Sequence, residues 1–323
     1  MIGSARAIAD FILNNDDFAV ITHIRPDGDA YGSALCMTEA IRALGKRAFP
    51  ACADSVEEKY TFLPDSGDFA KADDMPFQPK AVLSVDVSDV KRMGEWESVF
   101  FACENRACLD HHATNIGFCD VNYIDGKAAA AGEMVLEVIH ELGVSLTVDM
   151  AVNAYTAIST DTGNFSFSST TGNTYRYAAE CVDAGADVES LTRTLYRTRS
   201  IPKTRLLGYA LDRIELFENG LVAAIRLEDK VYEELGATRA DANSIVNYLN
   251  EIEGVRVGIL ADEMKDGVKF SFRAGVGADV AKIAKQFGGG GHIAAAGATV
   301  AGVSMKEIFP QVIEASCKAA REM

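Results

Sequence analysis

A chain of 323 residues exceeds what one ordinary hydrophobic core organises and suits two domains. Its composition, 48% hydrophobic and 24% charged with no apolar run near the length of a membrane span, is that of a soluble globular protein and argues against a membrane partner. A net charge of −16 argues against gripping duplex DNA through its phosphates, yet leaves room for a small phosphorylated ligand held by local groups and metal ions.

The N-terminal stretch MIGSARAIADFILNNDDF is amphipathic and lacks the apolar core and cleavage site of a secretory signal, so a cytoplasmic protein is expected. Seven cysteines without a C-x-x-C pair fit that compartment. Cys36, Cys103, Cys108 and Cys181 lie in apolar or helical contexts and read as reduced core residues. The sequence leaves a homodimer open.

FAVITHI (18–24) predicts a strand, the loop RPDGD follows, and AYGSALCMTEAIRALGK predicts a helix closing at Gly45. RAFPAC predicts a second strand, AVLSVDV (81–87) a third ending near Asp86, and RACLDHH another. AAAAGEMVLEVIHELG (128–143) and VDMAVNAYTAIST (148–160) have helical spacing, and DTGNF breaks the second. Apolar strands alternating with amphipathic helices imply a parallel sheet covered on both faces, and such sheets bind ligands beyond the C-terminal ends of their strands. The segment 196–215 reads as a helical connector after a first domain over 1–195. In 216–323 the runs LVAAIRL, VRVGILADEM and VKFSFRAG predict strands, with helices over 241–252 and 277–287 and a hairpin at Asp266-Gly267. The expected class is therefore α/β, a parallel-sheet domain followed by a smaller α/β domain with a mixed sheet, and a cleft between them.

The chemically capable residues fall on one predicted edge. His23, Asp27 and Asp29 lie at or past the first strand, Asp86 past the third, and Asp110, His111 and His112 at the end of the next; Asp161 closes a helix. THIRPDGDAYGS has the D-x-D-x-x-G of a calcium loop, but position twelve counted from Asp27 is Thr38, where a bidentate Glu is required, so that reading is rejected. Two carboxylates as close as Asp27 and Asp29 resist joint ionisation unless cations lie between them. A surface loop and a polar turn remain the plain alternatives for RPDGD and for DHH taken singly. Taken together, four carboxylates and two imidazoles suit two divalent ions about 3.5–4 Å apart. Oxygen and nitrogen donors without thiolate favour Mn²⁺, with Mg²⁺, Co²⁺ or Zn²⁺ as competitors. Strand alternation predicts that one of His111 and His112 ligates while the other is free for substrate or proton transfer, with Asp110 orienting a histidine.

HIRPDGDAYGS, VLSVDVSD, LDHH and TDTGNF, in this order and spacing, resemble the four motifs of the DHH phosphoesterase family. GGGGHIAAAG resembles the glycine-rich motif of the DHH-associated C-terminal domain. The resemblance spans essentially the whole chain and is nearest to the bifunctional nanoRNases that also dephosphorylate 3′-phosphoadenosine-5′-phosphate (pAp). It implies one ion held by His23, Asp27 and Asp86, and a second held by Asp29, Asp86, His111 and Asp161, with Asp86 bridging. It implies that His112 faces the substrate. Arg273 matches a basic position of the C-terminal domain. The amides of Gly289, Gly290 and Gly291 with His292 are expected to hold phosphate, against the alternative of a helix cap and turn. Tyr31 and Ala131 depart from what many relatives carry, at positions that are not ligands. The implied substrates are short single-stranded oligonucleotides and small phosphorylated nucleotides. Linear or cyclic dinucleotides of nucleotide signalling are the alternative, and a non-catalytic nucleotide binder is the rival of another class. A related pyrophosphatase is disfavoured because a Ser-Arg-Lys motif is missing.

Overall fold

A computed structural model describes residues 1–275 and 277–322. The chain divides into two compact units, Met1–Thr198 and Arg199–Met323. Among the described residues no helix is long and apolar enough to cross a membrane.

The first unit contains β1 (Ile2–Gly3), α1 (Ala5–Asn14), β2 (Phe18–Ile21), α2 (Gly28–Ala43), β3 (Ala48–Ala51), β4 (Ala81–Val85), α3 (Trp96–Ala102), β5 (Asn105–Asp110), β6 (Val121–Ile124), α4 (Ala131–Leu142), α5 (Val148–Asp161), α6 (Gly172–Asp183) and α7 (Val188–Thr192). Its sheet has the order β1-β6-β5-β4-β2-β3 and is parallel except for β1. Phe18, Val20, Leu83 and Val85 point into one apolar cluster, and Ala19, Ile21 and Val82 into another on the opposite face. Burial on both faces explains why these strands read as unbroken apolar runs. From β2 the chain goes to β3 on one side, then returns to β4 on the other side of β2. This reversal opens a crevice past the C-terminal ends of β2 and β4, where doubly wound sheets place their ligands.

Two expected strands end early. β2 stops at Ile21 and β4 at Val85, so His23 and Asp86 stand on the loops beyond them. The backbone of Asp86 turns left-handed, with φ 59°. The sequence reading also missed β1, β6, α3 and α6, whose short or polar runs carry little periodicity.

Glycines set the distance between α2 and α5. A Cβ at Gly28 would overlap the Thr160 hydroxyl, and one at Gly32 would overlap the Asn153 carbonyl oxygen. The close antiparallel approach brings Asp161, at the end of α5, to the start of α2. Gly32→Ala is expected to destabilise the protein by about 1–3 kcal/mol, because its new methyl meets backbone that cannot rotate away. Denaturant unfolding checks this; an unchanged midpoint would mean the helix pair tolerates separation.

The second unit contains α8 (Ile201–Leu211), β7 (Glu215–Phe217), β8 (Val222–Leu227), α9 (Asp229–Leu235), β9 (Val257–Met264), β10 (Gly267–Ala274), α10 (Val280–Gln286), β11 (Gly290–Gly291), β12 (Ala295–Ala301) and α11 (Met305–Arg321). Its sheet, β11-β12-β10-β9-β8-β7, is antiparallel except for β8 with β9, which is the mixed sheet expected. The stretch 196–215 is not a free-standing connector. Leu206 and Ala210 of α8 are buried against Ile225, Val231 and Leu249 of the second unit. The helix expected over 241–252 is two 3₁₀ segments, Arg239–Ala242 and Ile245–Glu251, separated by Asn243 and Ser244, residue types that favour turns over helix interiors. In the β9–β10 hairpin Met264 pairs with Gly267, so Lys265 and Asp266 form the turn, one residue earlier than expected.

Candidate metal centre

Three strand ends and two helix ends converge in the first unit. The loop after β2 supplies His23 and Asp27, the start of α2 supplies Asp29, the loop after β4 supplies Asp86, the end of β5 supplies Asp110–His112, and the end of α5 supplies Asp161. Asp27 caps α2, its Oδ1 accepting from the amides of Asp29 and Ala30 at 3.1 Å. Asp29 is 1% exposed and sits against the start of α4. It accepts from the amides of Ala131 (2.6 Å) and Gly132 (3.0 Å) and from the Ser33 hydroxyl (2.7 Å). At Ala131 it is the backbone amide that reaches Asp29, so the departure there leaves this contact in place. Tyr31 is fully buried against Tyr60 and Phe69, so it belongs to the core rather than to the crevice.

Asp86 lies at the middle. Its Oδ2 is 3.4 Å from His23 Nε2; its Oδ1 is 3.5 Å from His111 Nε2 and 3.4 Å from His112 Nδ1. His111 Nε2 also lies 3.4 Å from Asp161 Oδ2 and 3.7 Å from Asp29 Oδ2. Among the described residues three sets have their donor atoms within 4.8 Å of one another: His23, Asp27 and Asp86; Asp29, His111 and Asp161; and Asp86, His111 and His112.

These surroundings favour cations. The Asp86 Oδ1 is buried with no hydrogen-bond partner among the described residues, which is costly for a carboxylate oxygen. Burial pushes the Asp86 carboxyl well above the usual carboxylate range, and repulsion from Asp29, Asp27, Asp110 and Asp161 adds to it. Burial also raises Asp29, and raises Asp161 to about 7, with neighbouring aspartates contributing. Positive ions at the centre would reverse this repulsion. The donor set mixes carboxylate oxygen with imidazole nitrogen and has no thiolate, which suits Mn²⁺ and its first-row neighbours.

The two histidines of the triplet differ in their partners. The Nδ1–H of His111 donates to the Ala128 carbonyl (3.3 Å), leaving Nε2 turned to the carboxylates. The Nδ1–H of His112 donates to Asp110 Oδ1 (2.8 Å), which raises the histidine's pKa against the opposing effect of burial. Strand alternation is not what separates them. β5 ends at Asp110, and the two rings lie side by side with centroids 4.8 Å apart. Their roles are set by which acceptor holds each Nδ1.

Sequence reasoning missed two participants. Asn115 is buried and its Nδ2 donates to Asp110 Oδ2 (2.8 Å), fixing the carboxylate that holds His112; its place three residues past the triplet was the available signal. The Nη2 of Arg92 lies 3.0 Å from His23 Nδ1, which also lies 2.8 Å from the Ile24 carbonyl oxygen, and nothing in VKRMG marks it in advance.

In the second unit the glycine run is less free than expected. The Gly289 amide donates to Ala284 O (2.9 Å) as part of the cap of α10, and the His292 amide donates to Ala295 O (2.8 Å). Gly290 and Gly291 form β11 and pair with Gly297 and Ala296. The run is thus a cap and a tight strand, so its amides are not the open anion nest anticipated for Gly289 and His292. It builds an exposed tip at 291–294 that carries the His292 side chain. Arg273 pairs with Ala295 beside that tip; its Nε donates to Asn247 Oδ1 (2.9 Å), and its guanidinium is half-buried.

The DHH family N-terminal domain matches residues 17–158 and the DHHA1 domain matches residues 219–321. The bifunctional oligoribonuclease and PAP phosphatase NrnA of Thermus thermophilus is 33% identical over 296 residues, covering 92% of this chain and 88% of that protein.

This chain belongs to the DHH family of phosphoesterases.

The NrnA protein of Bacillus subtilis is 27% identical over 306 residues, covering 94% of this chain and 95% of its own length. In structure, an exopolyphosphatase-related protein from Bacteroides fragilis superposes with a TM-score of 0.87 at 23% identity, covering 98% of both chains, which supports the DHH fold.

Proposed function

We propose that this DHH protein hydrolyses short single-stranded oligonucleotides to mononucleotides and removes the 3′-phosphate of pAp, using two divalent ions, with Mn²⁺ favoured. The observation that carries the reading is Asp86, a buried carboxylate with one oxygen toward His23 and the other toward His111 and His112. In this reading His23, Asp27 and Asp86 hold one ion, and Asp29, Asp86, His111 and Asp161 hold the other. Such ions supply Lewis acidity at phosphoryl oxygens and a nucleophile from water at neutral pH.

The protein's own groups do the positioning. Asp29 is fixed by helix amides and Ser33, so its carboxylate is preorganised. Asp110, itself held by Asn115, keeps the His112 proton on Nδ1 and turns Nε2 outward. A ring partly open to solvent and raised in pKa can hand a proton to the departing oxygen. Substrate would be gripped by Arg273 and by the exposed tip at 291–294 through the His292 side chain.

A substrate panel tests this. Purified protein with Mn²⁺ should release phosphate from pAp and mononucleotides from a linear dinucleotide and a five-nucleotide RNA, and should leave duplex DNA intact. Turnover confined to cyclic dinucleotides or pyrophosphate, or no turnover at all, would overturn the reading. Arg273→Ala should raise KM for pAp by about tenfold to a hundredfold through lost charge-assisted hydrogen bonds, with metal content unchanged. It should spare bis-p-nitrophenyl phosphate; equal damage to that small substrate would move Arg273 into the chemistry or the fold.

A further inference from the structure

Arg273 keeps its charge free in a strongly acidic chain. The net charge is −16, and other arginines of the second unit lie against carboxylates: Arg226 on Glu215, Arg239 on Asp229 and Asp262, and Arg321 on Glu218. Arg273 makes no ion pair among the described residues, although its guanidinium is half-buried. Burial alone acts on its pKa, downward, with no carboxylate to oppose it. The groups that hold it are neutral. Its Nε donates to Asn247 Oδ1 (2.9 Å) and its Nη1 to the Phe272 carbonyl (3.0 Å). A carboxylate in the place of Asn247 would orient the guanidinium and cancel its charge. An amide orients it and leaves the charge for another anion.

Small residues make this contact. On β10, Arg273 lies between Gly258 of β9 and Ala295 of β12. Cross-strand partners share a face of the sheet, so the flanks of Arg273 carry little bulk. Gly258 also admits the 3₁₀ segment Ile245–Glu251. A Cβ there would lie 2.9 Å from the Leu249 Cβ and 3.0 Å from Asn250 Oδ1. Val246 and Leu249 of that segment are fully buried, and Asn250 Nδ2 donates to the Ala274 carbonyl (3.0 Å) at the end of β10. Asn247 therefore stands on an anchored segment, with its own side chain exposed. The Nε–H of an arginine can only donate, so it is Oδ1 that Asn247 turns toward Arg273.

The Nη2 of Arg273 has no hydrogen-bond partner among the described residues, and Nη1 keeps a proton to spare. These donors can still take phosphate oxygens in the planar geometry of the fork. A free arginine stem samples many rotamers, and ordering it when substrate arrives costs affinity. We propose that Asn247 is a positioning residue that locks the Arg273 guanidinium, with its charge uncancelled, in the orientation that receives the substrate's phosphate. The proposal rests on the proposed function, in which Arg273 grips substrate, and names a residue outside every sequence motif.

The test is a double-mutant cycle on the full chain with Mn²⁺. N247L should raise KM for pAp about threefold to tenfold, the share of one hydrogen bond, with kcat and Mn²⁺ content equal to the parent. N247S, polar but too short to reach Nε, should do the same, which covers poor folding of N247L. In the R273A background N247L should add nothing, because the lock has nothing left to hold. Proton exchange at the Arg273 Nε, assigned in nitrogen-15 spectra by its loss in R273A, should be slow in the parent and fast in N247L and N247S. An unchanged KM in N247L and N247S would overturn the proposal. So would a rise that multiplies with that of R273A, which would make Asn247 an independent contact or a support of the fold. A parental KM in R273A would remove both residues from substrate binding and leave the metal chemistry standing. Should no substrate of the panel be turned over, the proposed function falls, and the same cycle read as pAp affinity by calorimetry decides the role of Asn247 by itself: non-additive weakening upholds it, and unchanged or multiplying affinities refute it.

Discussion

Asp86→Asn should abolish turnover, by ~10³-fold or more, and deplete both ions at once. Asp86 alone has an oxygen toward each set of donors, Oδ2 toward His23 and Oδ1 toward His111 and His112. Asn keeps the size of the side chain and tolerates the left-handed backbone at φ 59°, so the loop after β4 should survive the change. By contrast, Asp27→Asn and Asp161→Asn each touch one set of donors and should weaken one ion. Stability should move the other way. Asp86 is desolvated and repelled by four aspartates, so neutralising it should raise the melting temperature of the chelated protein. It should also erase the stabilisation that Mn²⁺ confers on the parent, since an ion that binds only the folded state shifts unfolding by mass action. Metal analysis after dialysis, kcat/KM and melts with and without chelator measure all three effects. Retention of two ions and parental turnover by Asp86→Asn would remove Asp86 from the bridge.

The two histidines of the triplet should fail in different ways. His111→Ala removes the Nε2 that lies within 3.7 Å of Asp29, Asp86 and Asp161, so it should lower metal content and turnover together. His112→Ala removes the ring held by Asp110 and should keep the ions while lowering kcat, by about 10²–10⁴-fold if its task is proton transfer to the leaving oxygen. Asp110→Asn should resemble a milder His112→Ala, because an amide holds the ring less firmly and stabilises its cation less. Metal stoichiometry of each purified variant, read beside kcat, checks the division. Equal metal loss in both histidine variants, with folding intact, would show that His112 is itself a ligand, in the set it forms with Asp86 and His111.

The parallel sheet and the mixed sheet could both be inferred from apolar runs, because burial on two faces leaves a strong compositional trace in residues such as Val82, Leu83 and Val85. The metal-binding candidates could be inferred because strand ends in such sheets gather by topology, and the reversal between β2 and β4 does gather them. What stayed hidden depends on contacts distant in sequence. The grip of the α4 amides on Asp29, the approach of α5 over Gly28 and Gly32, and the reach of Arg92 to His23 have no periodic signature. The glycine run misled for a related reason. Four glycines in a row look like open amides, and only the pairing of β11 with β12 and the cap of α10 show which amides are already used.

The most direct measurement is anomalous X-ray diffraction from crystals grown or soaked with Mn²⁺. The geometry predicts two manganese peaks about 3.5–4 Å apart. One should be ligated by His23, Asp27 and Asp86, the other by Asp29, Asp86, His111 and Asp161, with the Asp86 carboxylate between them. A single peak, two peaks that do not share Asp86, or manganese bound elsewhere while these side chains keep their present contacts would contradict the account.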